Sequence, residues 1–382
     1  MPTAACPPFP TLGILGDGQL GRMTALAAIR MGLRVRCLAP KPAGPMDGLG
    51  ETTYGDWTDP DVLRAFAGEC TAVTVESEWA PAEHLEPVLP EGVRLWPAPA
   101  TLRLIRDKGL QKTTLDEAGL PVPDFALCAT LEEARDAAHR FGFPVVVKRR
   151  RGSYDGYGNA TAHDDAGLAA AWATLAEHDG ALIERWVPFT RELSVLVARR
   201  PDGVHVVYPV AYTEQKDHRC HAVVVPAGIP AETAEAARRV ALGAVEAVGG
   251  VGLTAVELFE LPDGQVLINE LAPRPHNTGH YSIEACHTSQ FENHVRAVLG
   301  WPLGDPSLRV PCAVMVNVLG TREGTPCTEG LAEALSLGDV TVHIYGKRSV
   351  RPKRKMGHVT VTGADPATVR QRAEQAAAFI RL

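Results

Sequence analysis

One hairpin limits what this chain can fold into more than any other segment. Around Pro262-Asp263-Gly264 lie two apolar runs, Ala255-Val256-Glu257-Leu258-Phe259-Glu260-Leu261 and Val266-Leu267-Ile268-Asn269-Glu270-Leu271. An Asp-Gly pair between such runs marks a tight antiparallel turn, because both residues tolerate positive φ. If Asp263 and Gly264 form the loop, Leu261 pairs with Val266, and counting onward sets Glu257 opposite Glu270. Like charges with Cβ atoms about 5 Å apart repel. A shared divalent cation relieves this most simply, and oxygen ligands alone suit Mg²⁺ carrying a nucleotide phosphate. A half-solvated or proton-sharing pair is the other reading.

The second strand runs into Ala272-Pro273-Arg274-Pro275-His276-Asn277-Thr278-Gly279-His280. Arg274, His276 and Asn277 gather hydrogen-bond donors beside the carboxylates, which suits a small oxyanion.

At 382 residues the chain has room for two or three domains. With 45% apolar and 22% charged residues it has the composition of a soluble globular protein. Its net charge of −7 opposes general nucleic-acid binding and leaves only local basic sites for small anions. No apolar run approaches the ~18 residues of a membrane span, and the Pro-rich start lacks the layout of a secretion signal. The 8 cysteines form no C-x-x-C pair and read as reduced thiols, so a cytoplasmic location is expected.

Apolar runs at 11–15, 35–38 and 72–75 alternate with helical patterns over 20–31 and from Pro60, which predicts a parallel α/β layer. Asp59-Pro60 starts the second helix. After a Pro-rich stretch from Pro81 to Pro99, a helix is expected over 108–117, closed by Gly119. A strand over 124–128 follows, and Thr130-Leu131-Glu132-Glu133 forms a capping box. Strands are expected at 144–148, 181–186, 192–199, 204–212 and 310–319, an Ala-rich helix over 230–248, and a final helix from Asp365-Pro366.

Gly16, Gly18 and Gly21 form G-x-G-x-x-G between the first strand and helix, a turn whose N–H groups can face an anion. A dinucleotide is disfavoured, because the second strand ends in Ala39-Pro40-Lys41 with no acid for a ribose hydroxyl. Close strand–helix packing or another phosphate remain as readings. Lys148-Arg149-Arg150-Arg151 at a strand end leads into Gly152-Ser153-Tyr154-Asp155-Gly156-Tyr157-Gly158-Asn159. Cations followed by a glycine loop suit a triphosphate, although the order is not that of a Walker loop. Near the end, Lys347 to Lys355 carries six cations in nine residues, which a phosphate monoester or a solvated basic face would explain.

Together, Gly18-Gln19-Leu20-Gly21-Arg22-Met23, Tyr154-Asp155-Gly156, Asn269 through His280 and Arg354-Lys355-Met356-Gly357-His358 resemble the N5-carboxyaminoimidazole ribonucleotide synthase family. The motifs keep the family's order across nearly the whole chain. The resemblance implies an α/β and α+β chain with the ATP-grasp fold: a Rossmann-like pre-ATP-grasp domain over 1–106, a two-lobed ATP clamp over 107–299 and a small C-terminal domain over 300–382. It implies ATP, Mg²⁺, bicarbonate and 5-aminoimidazole ribonucleotide as cofactors and substrates, a homodimer, and a mutase taking the product onward in purine synthesis. Carried over by position, Lys108 and Lys148 would hold phosphates and Ser153 through Asn159 would close over them. Glu184, Arg185, Trp186 and Val187 would read adenine, and Glu192 the ribose, with Gln215 nearby. Asn269 and Glu270 would face the nucleotide, and Glu257 and Glu270 would hold Mg²⁺. Arg274, His276 and Asn277 would place bicarbonate. Gln19, Leu20, Glu76, Tyr154 and Asp155 would line the imidazole and ribose side, with Lys347 and Arg354 on the substrate phosphate.

Tyr157 replaces a basic residue usual after Tyr-Asp-Gly, Asn159 a glutamine, and Gln215 stands where relatives can have histidine. Three other readings compete. A formate-dependent glycinamide ribonucleotide transformylase of the same superfamily would carry Gly-Glu-Leu-Gly in its first loop. A nicotinamide oxidoreductase rests on the glycine turn alone. A catalytically dead nucleotide-binding subunit is motivated by Tyr157 and Asn159.

Overall fold

Strand Thr11–Leu15 is the centre of a five-stranded parallel sheet, and its Leu12, Ile14 and Leu15 are wholly buried. A computed structural model describes residues 9–42, 44–152, 158–216 and 219–382. The sheet order is Glu51–Tyr54, Arg34–Ala39, Thr11–Leu15, Ala72–Val75, Arg94–Leu95, with every pair parallel. The two outer strands escape sequence patterning because Glu51–Tyr54 is a polar, half-exposed edge and Arg94–Leu95 is only two residues long. Helix Pro60–Ala67 starts where Asp59 accepts from Asp61 N at 2.8 Å and Val62 N at 3.4 Å.

Two antiparallel sheets follow. The smaller runs Phe125–Cys128, Ala181–Arg185, Val145–Arg149, Asn159–Ala162, and helices Leu131–Phe141 and Asp165–Leu175 pack on it through one apolar cluster. The expected capping box is present: Thr130 accepts from Glu133 N, and the Glu133 carboxylate accepts from Ala129 N. The larger sheet runs Val266–Ala272, Gly252–Glu260, Arg191–Arg199, Ala211–Lys216, Arg219–Val225, Cys312–Leu319, Lys355–Gly363, Val340–Ile344, with His205–Val207 added beside Arg191–Arg199. The single strand expected over 204–212 is therefore two, separated at Tyr208-Pro209-Val210, and Tyr208 is buried there. Helix Ala231–Ala247 covers one face through Ala237, Ala241 and Ala244, and helix Pro366–Phe379 covers the far end. Strand Cys312–Leu319 pairs with Arg219–Val225, so residues after 300 continue the central sheet.

The hairpin differs from a two-residue Asp-Gly turn. Leu261 N donates to Gln265 O at 2.8 Å and Gly264 N to Leu261 O at 2.9 Å, with Gly264 at φ +83°. The loop is thus three residues, and the strands close with Glu260 opposite Val266. A bulge then pairs Glu257 with Glu270 but Leu258 with Ile268, leaving Asn269 as the extra residue. The longer turn and the bulge displace the register in opposite senses, so the two carboxylates still face each other. Bulges of this kind re-aim side chains next to functional sites.

Helix Gln290–Leu299, absent from the sequence reading, joins the first sheet to the large one. Its Val295 and Val298 pack with Leu12 and Ile14, while His294 bonds Thr74 Oγ1 through Nε2 and Leu253 N through Nδ1, both at 2.9 Å.

Candidate active site

The cleft between the antiparallel sheets opens into two connected spaces. One of about 460 Å³ is bounded by Val146, Lys148, Trp186, Val187 and Phe259. The other, of about 720 Å³, reaches Gln19 and Leu20 on the first sheet's helix, Glu257 and Glu270 on the hairpin, and Lys355 at the far end. Asn159 and Asn269 border both.

Helix Lys108–Glu117 starts at Asp107, which is 1% exposed and caps Gly109 N and Leu110 N. The same carboxylate takes Arg150 and Arg151, each at 2.8 Å. Of the four cations in Lys148-Arg149-Arg150-Arg151, only Lys148 therefore borders the cleft, and Arg149 pairs with Glu177 at 3.8 Å. Lys148 Nζ lies 2.6 Å from Glu184 and 3.1 Å from Asn269 Oδ1. Lys112 Nζ lies 3.0 Å from the other Glu184 oxygen and donates to Ile268 O and Asn269 O. Burial pushes Lys112 down to about 8 against the pull of Glu184. Burial alone would raise the Glu184 carboxyl, but the two ammonium groups carry it down to about 2. The Glu184 side chain is thus committed to the two lysines, so an adenine contact at this position would come from its backbone. Phe189 stacks on Phe259 with centroids 4.6 Å apart, forming an apolar wall beside Trp186 and Val187.

Glu257 and Glu270 face each other on adjacent strands. Burial and the neighbouring Glu270 and Glu192 hold the Glu257 carboxyl up, whereas Glu270, despite its burial, is held down by Lys108 and Lys148. Lys108 pairs directly with Glu270, and this offsets the penalty of its own burial. The donor set fits Mg²⁺: two oxygen-only ligands are pressed together, and one stays protonated unless a cation joins them. Glu192, two residues from the strand position opposite Glu257, accepts from Gln215 Nε2 at 3.0 Å, so this predicted pair is brought together.

The loop from Arg274 to His280 is pinned from three sides. Arg274 pairs through two guanidinium nitrogens with Glu78, on the loop after strand Ala72–Val75. Arg274 overcomes the effect of burial and keeps the Glu78 carboxyl low. His276 N and O are held by the Gln290 amide at 2.9 and 2.7 Å. Its Nδ1 accepts from Thr278 N, which leaves the proton on Nε2, and Nε2 lies 3.7 Å from Glu257 Oε1. Burial, with Arg274 and Lys355, lowers His276 to about 3, so it is a neutral donor. Asn277 exchanges two hydrogen bonds with Asn317, at 2.8 and 2.7 Å, and its amide orients the loop against the C-terminal strand.

The glycine turn holds a carboxylate of the chain itself. Glu76 packs half-buried against it and accepts from Gly21 N at 3.2 Å, and a Cβ on Gly18 would overlap both of its oxygens. Burial raises this carboxyl even though the Gly21 and Gly18 N–H groups favour its charge. Gly16, at φ +105°, makes the turn that leaves room for the Glu76 side chain. Glu76 thus lies behind Gln19 and Leu20, which border the larger space. At the other end Lys355 borders it, one residue from the expected Arg354. Arg354 donates to Ser349 O at 2.8 Å and Lys347 to Lys355 O at 2.6 Å. The expected Ser153, Tyr154, Asp155, Gly156 and Tyr157 lie outside the described residues.

Lys112, Glu78, Phe259 and Asn317 escaped the sequence reading. Lys112 had a signal, since Lys108 and Lys112 at i,i+4 place like charges on one helix face, a costly arrangement without an acidic partner. Glu78 follows the C-terminal end of a central parallel strand, where ligand sites of such sheets collect.

Two opposed antiparallel sheets, lysines on one side and paired carboxylates on the other, define an ATP-grasp clamp, and an ATP-grasp domain matches residues 113–291. A ribonucleotide synthetase preATP-grasp domain matches 9–106, and a phosphoribosylaminoimidazole carboxylase C-terminal domain matches 313–372. An N5-carboxyaminoimidazole ribonucleotide synthase of Mycobacterium tuberculosis is 41% identical over 97% of this chain and 88% of its own length. A phosphoribosylaminoimidazole carboxylase of Schizosaccharomyces pombe is 40% identical over 94% of this chain, which spans only 66% of that longer protein. The N5-carboxyaminoimidazole synthase of Aspergillus clavatus, solved with ADP and 5-aminoimidazole ribonucleotide, superposes with a TM-score of 0.86 at 30% identity over 96% of this chain and 97% of that one. The chain belongs to the N5-carboxyaminoimidazole ribonucleotide synthase family.

Proposed function

We propose that the protein carboxylates 5-aminoimidazole ribonucleotide with bicarbonate, splitting ATP to ADP and phosphate. The observation that carries this reading is the position of the Arg274 to His280 loop. It runs beside the facing Glu257 and Glu270 in a space that extends from Gln19 to Lys355. Adenine occupies the smaller space against Phe259 and Val187, contacting backbone from Glu184 to Val187, with Arg185 and Trp186 at the rim and Glu192 and Gln215 on the ribose. Lys108, Lys148 and Asn159 hold the phosphates, and the family resemblance assigns Ser153, Tyr154, Asp155, Gly156 and Tyr157 to the same nucleotide. Glu257 and Glu270 would hold Mg²⁺, which when bound neutralises charge on the transferring group, with Asn269 facing the nucleotide beside them.

Arg274 and the neutral His276 set a bicarbonate oxygen in line with the γ-phosphorus. A new P–O bond forms as the bond to ADP breaks, giving carboxyphosphate. Its C–O cleavage releases phosphate and carbon dioxide, which the exocyclic amine captures with loss of a proton. Alignment and charge compensation do most of the work. Asn277 positions the loop. Gln19, Leu20, Tyr154 and Asp155 flank the aminoimidazole, with Glu76 supporting them from the glycine turn. Lys347, Arg354 and Lys355 take the ribonucleotide phosphate.

The domain division at 106 and 299, the homodimer, the cytoplasmic location and transfer of product to a mutase belong to the same proposal. No helix among the described residues is long and apolar enough to cross a membrane. The test is ADP release with Mg-ATP and bicarbonate, with and without 5-aminoimidazole ribonucleotide, and with formate plus glycinamide ribonucleotide in parallel. Release that depends on the aminoimidazole is expected. Release only with formate overturns the substrate assignment.

A further inference from the structure

Behind the oxyanion loop, away from the phosphate cleft, three protein segments bring imidazoles and a carboxylate together. His343 on strand Val340–Ile344 stands directly opposite His358 on strand Lys355–Gly363, and their rings lie 4.5 Å apart. Glu284, from the short helix Ser282–Ala285 that follows the loop, sets Oε1 2.8 Å from His343 Nε2. One ligand atom from each of the three lies within 4.8 Å of the others.

Hydrogen bonding among these groups leaves the cluster incomplete. His358 is 0% exposed and its Nε2 has no partner among the described residues. The second oxygen of Glu284 is likewise buried without a partner. A ring nitrogen and a carboxylate oxygen left open in one small volume cost stability unless something fills the gap. The other ring nitrogen of His358, Nδ1, lies 3.0 Å from the Tyr345 hydroxyl, and in the tautomer that donates from Nδ1 to that oxygen Nε2 presents its lone pair to the gap. Metal-bound imidazoles are oriented in this way, through the nitrogen that does not ligate.

His280 completes the surroundings in a different role. Its Nδ1 accepts from the Gln290 amide at 3.0 Å, an amide whose orientation is fixed by His276 N and O. The Nε2 of His280 therefore carries a hydrogen. It too is buried without a partner, and its ring centroid is 4.8 Å from that of His358. A donor there suits a water or anion bound to a cation rather than the cation itself.

We propose that Glu284, His343 and His358 form a site for a first-row divalent cation of the zinc class, which ties the C-terminal strand pair to the segment carrying Arg274 and His276. Two imidazoles and one carboxylate match the preference of Zn²⁺ for nitrogen and oxygen ligands, with a fourth position open to water. Ligand bonds of about 2.0–2.2 Å require the three groups to close by roughly an ångström and the stacked His343 and His358 rings, 16° apart in plane, to turn so that their lone pairs converge. His343 and Glu284 are 26% and 15% exposed, so this side of the cluster gives access.

The test uses the full chain, stripped with a chelator and returned to excess Mg²⁺ so that the phosphate-side carboxylates are saturated with a hard cation. Co²⁺ is then titrated in. One equivalent per chain is expected, with visible bands of a four-coordinate nitrogen and oxygen site, no thiolate charge-transfer band, and displacement by Zn²⁺. Loss of an outer partner of a ligand already weakens metal sites by about 10–100-fold, so His343→Ala should weaken binding by at least about tenfold. Glu284→Gln, which keeps the shape and the bond to His343, should weaken it as well, and Glu257→Gln should leave it unchanged. Zn²⁺ should raise the thermal midpoint of the parent chain but not that of His343→Ala. No binding at micromolar Co²⁺, a thiolate band, or binding that both cluster variants retain overturns the proposal.

Discussion

Glu184→Gln tests the buried core of the proposed nucleotide site. The carboxylate is shared by Lys148 at 2.6 Å and Lys112 at 3.0 Å, and all three residues are at least nine-tenths buried. Its pKa falls from 4.5 to about 2, a difference worth roughly 3 kcal/mol of native stability at neutral pH. The sign follows from a carboxyl depressed in the folded state: the contribution is complete above about pH 4.5 and lost as pH falls toward 2. The variant should therefore be less stable than the parent by about 3 kcal/mol at pH 7, in the range expected when a buried charge loses its partner. The deficit should shrink on acidification below pH 4.5. It should also shrink on the alkaline side, because Lys112, already at about 8, loses its counter-ion and deprotonates more readily. Urea unfolding followed by tryptophan fluorescence at pH 4, 7 and 9 measures this, with Trp172 and Trp186 reporting on the smaller lobe. In the same variant Lys148 keeps only Asn269 among the partners described above, so kcat/KM for ATP should fall by about tenfold or more. A deficit below about 1 kcal/mol at pH 7, or one that does not vary with pH, would refute the reasoning.

Glu270→Gln should keep the fold but abolish Mg-ATP turnover, since one carboxylate of the facing pair and its charge are lost; wild-type turnover would remove the metal assignment. Gly18→Ala should destabilise the first sheet by about 1–3 kcal/mol, because the added methyl meets the Glu76 carboxylate. In a double-mutant cycle Glu76→Ala should suppress most of that cost, and strict additivity would show that Glu76 is not what the glycines accommodate. Lys355→Ala should raise KM for the ribonucleotide several-fold while KM for ATP holds, as should Lys347→Ala. If only ATP is affected, the basic segment does not belong to the substrate end.

Where local pattern and tertiary demand agree, the sequence was readable. Helix Lys108–Glu117 and the Asp59, Thr130 and Asp365 caps fall where residue type puts them, because capping is settled within a few residues. The facing of Glu257 and Glu270 was legible as well, but through a count that omitted two irregularities. Nothing in Pro262-Asp263-Gly264 announces that the turn takes a third residue, and nothing marks Asn269 as the bulge that compensates. The cation run was over-read because Asp107, more than 40 residues earlier, captures Arg150 and Arg151. The glycine turn was legible as an anion cradle, but its anion is Glu76, on a neighbouring strand's end. In each case the missing information is a partner distant in sequence, which composition and spacing do not encode.

The large sheet also acts as a curved wall. Glu270 lies on its first strand and Lys355 on its seventh, six pairings away. Laid flat, six spacings of about 4.8 Å would separate them by about 29 Å, yet Lys355 is near enough to lower the carboxyl of Glu257, which faces Glu270, and all three border one space. The sheet must therefore roll up like a trough, and three breaks in register, at Glu257/Leu258, Glu214/Gln215 and Val318/Leu319, sit where that curvature has to be made. The gap between the proposed phosphate-transfer and ribonucleotide ends is then set by how tightly the trough is rolled. Substrate length would be gauged by backbone curvature as well as by the side chains that meet the substrates.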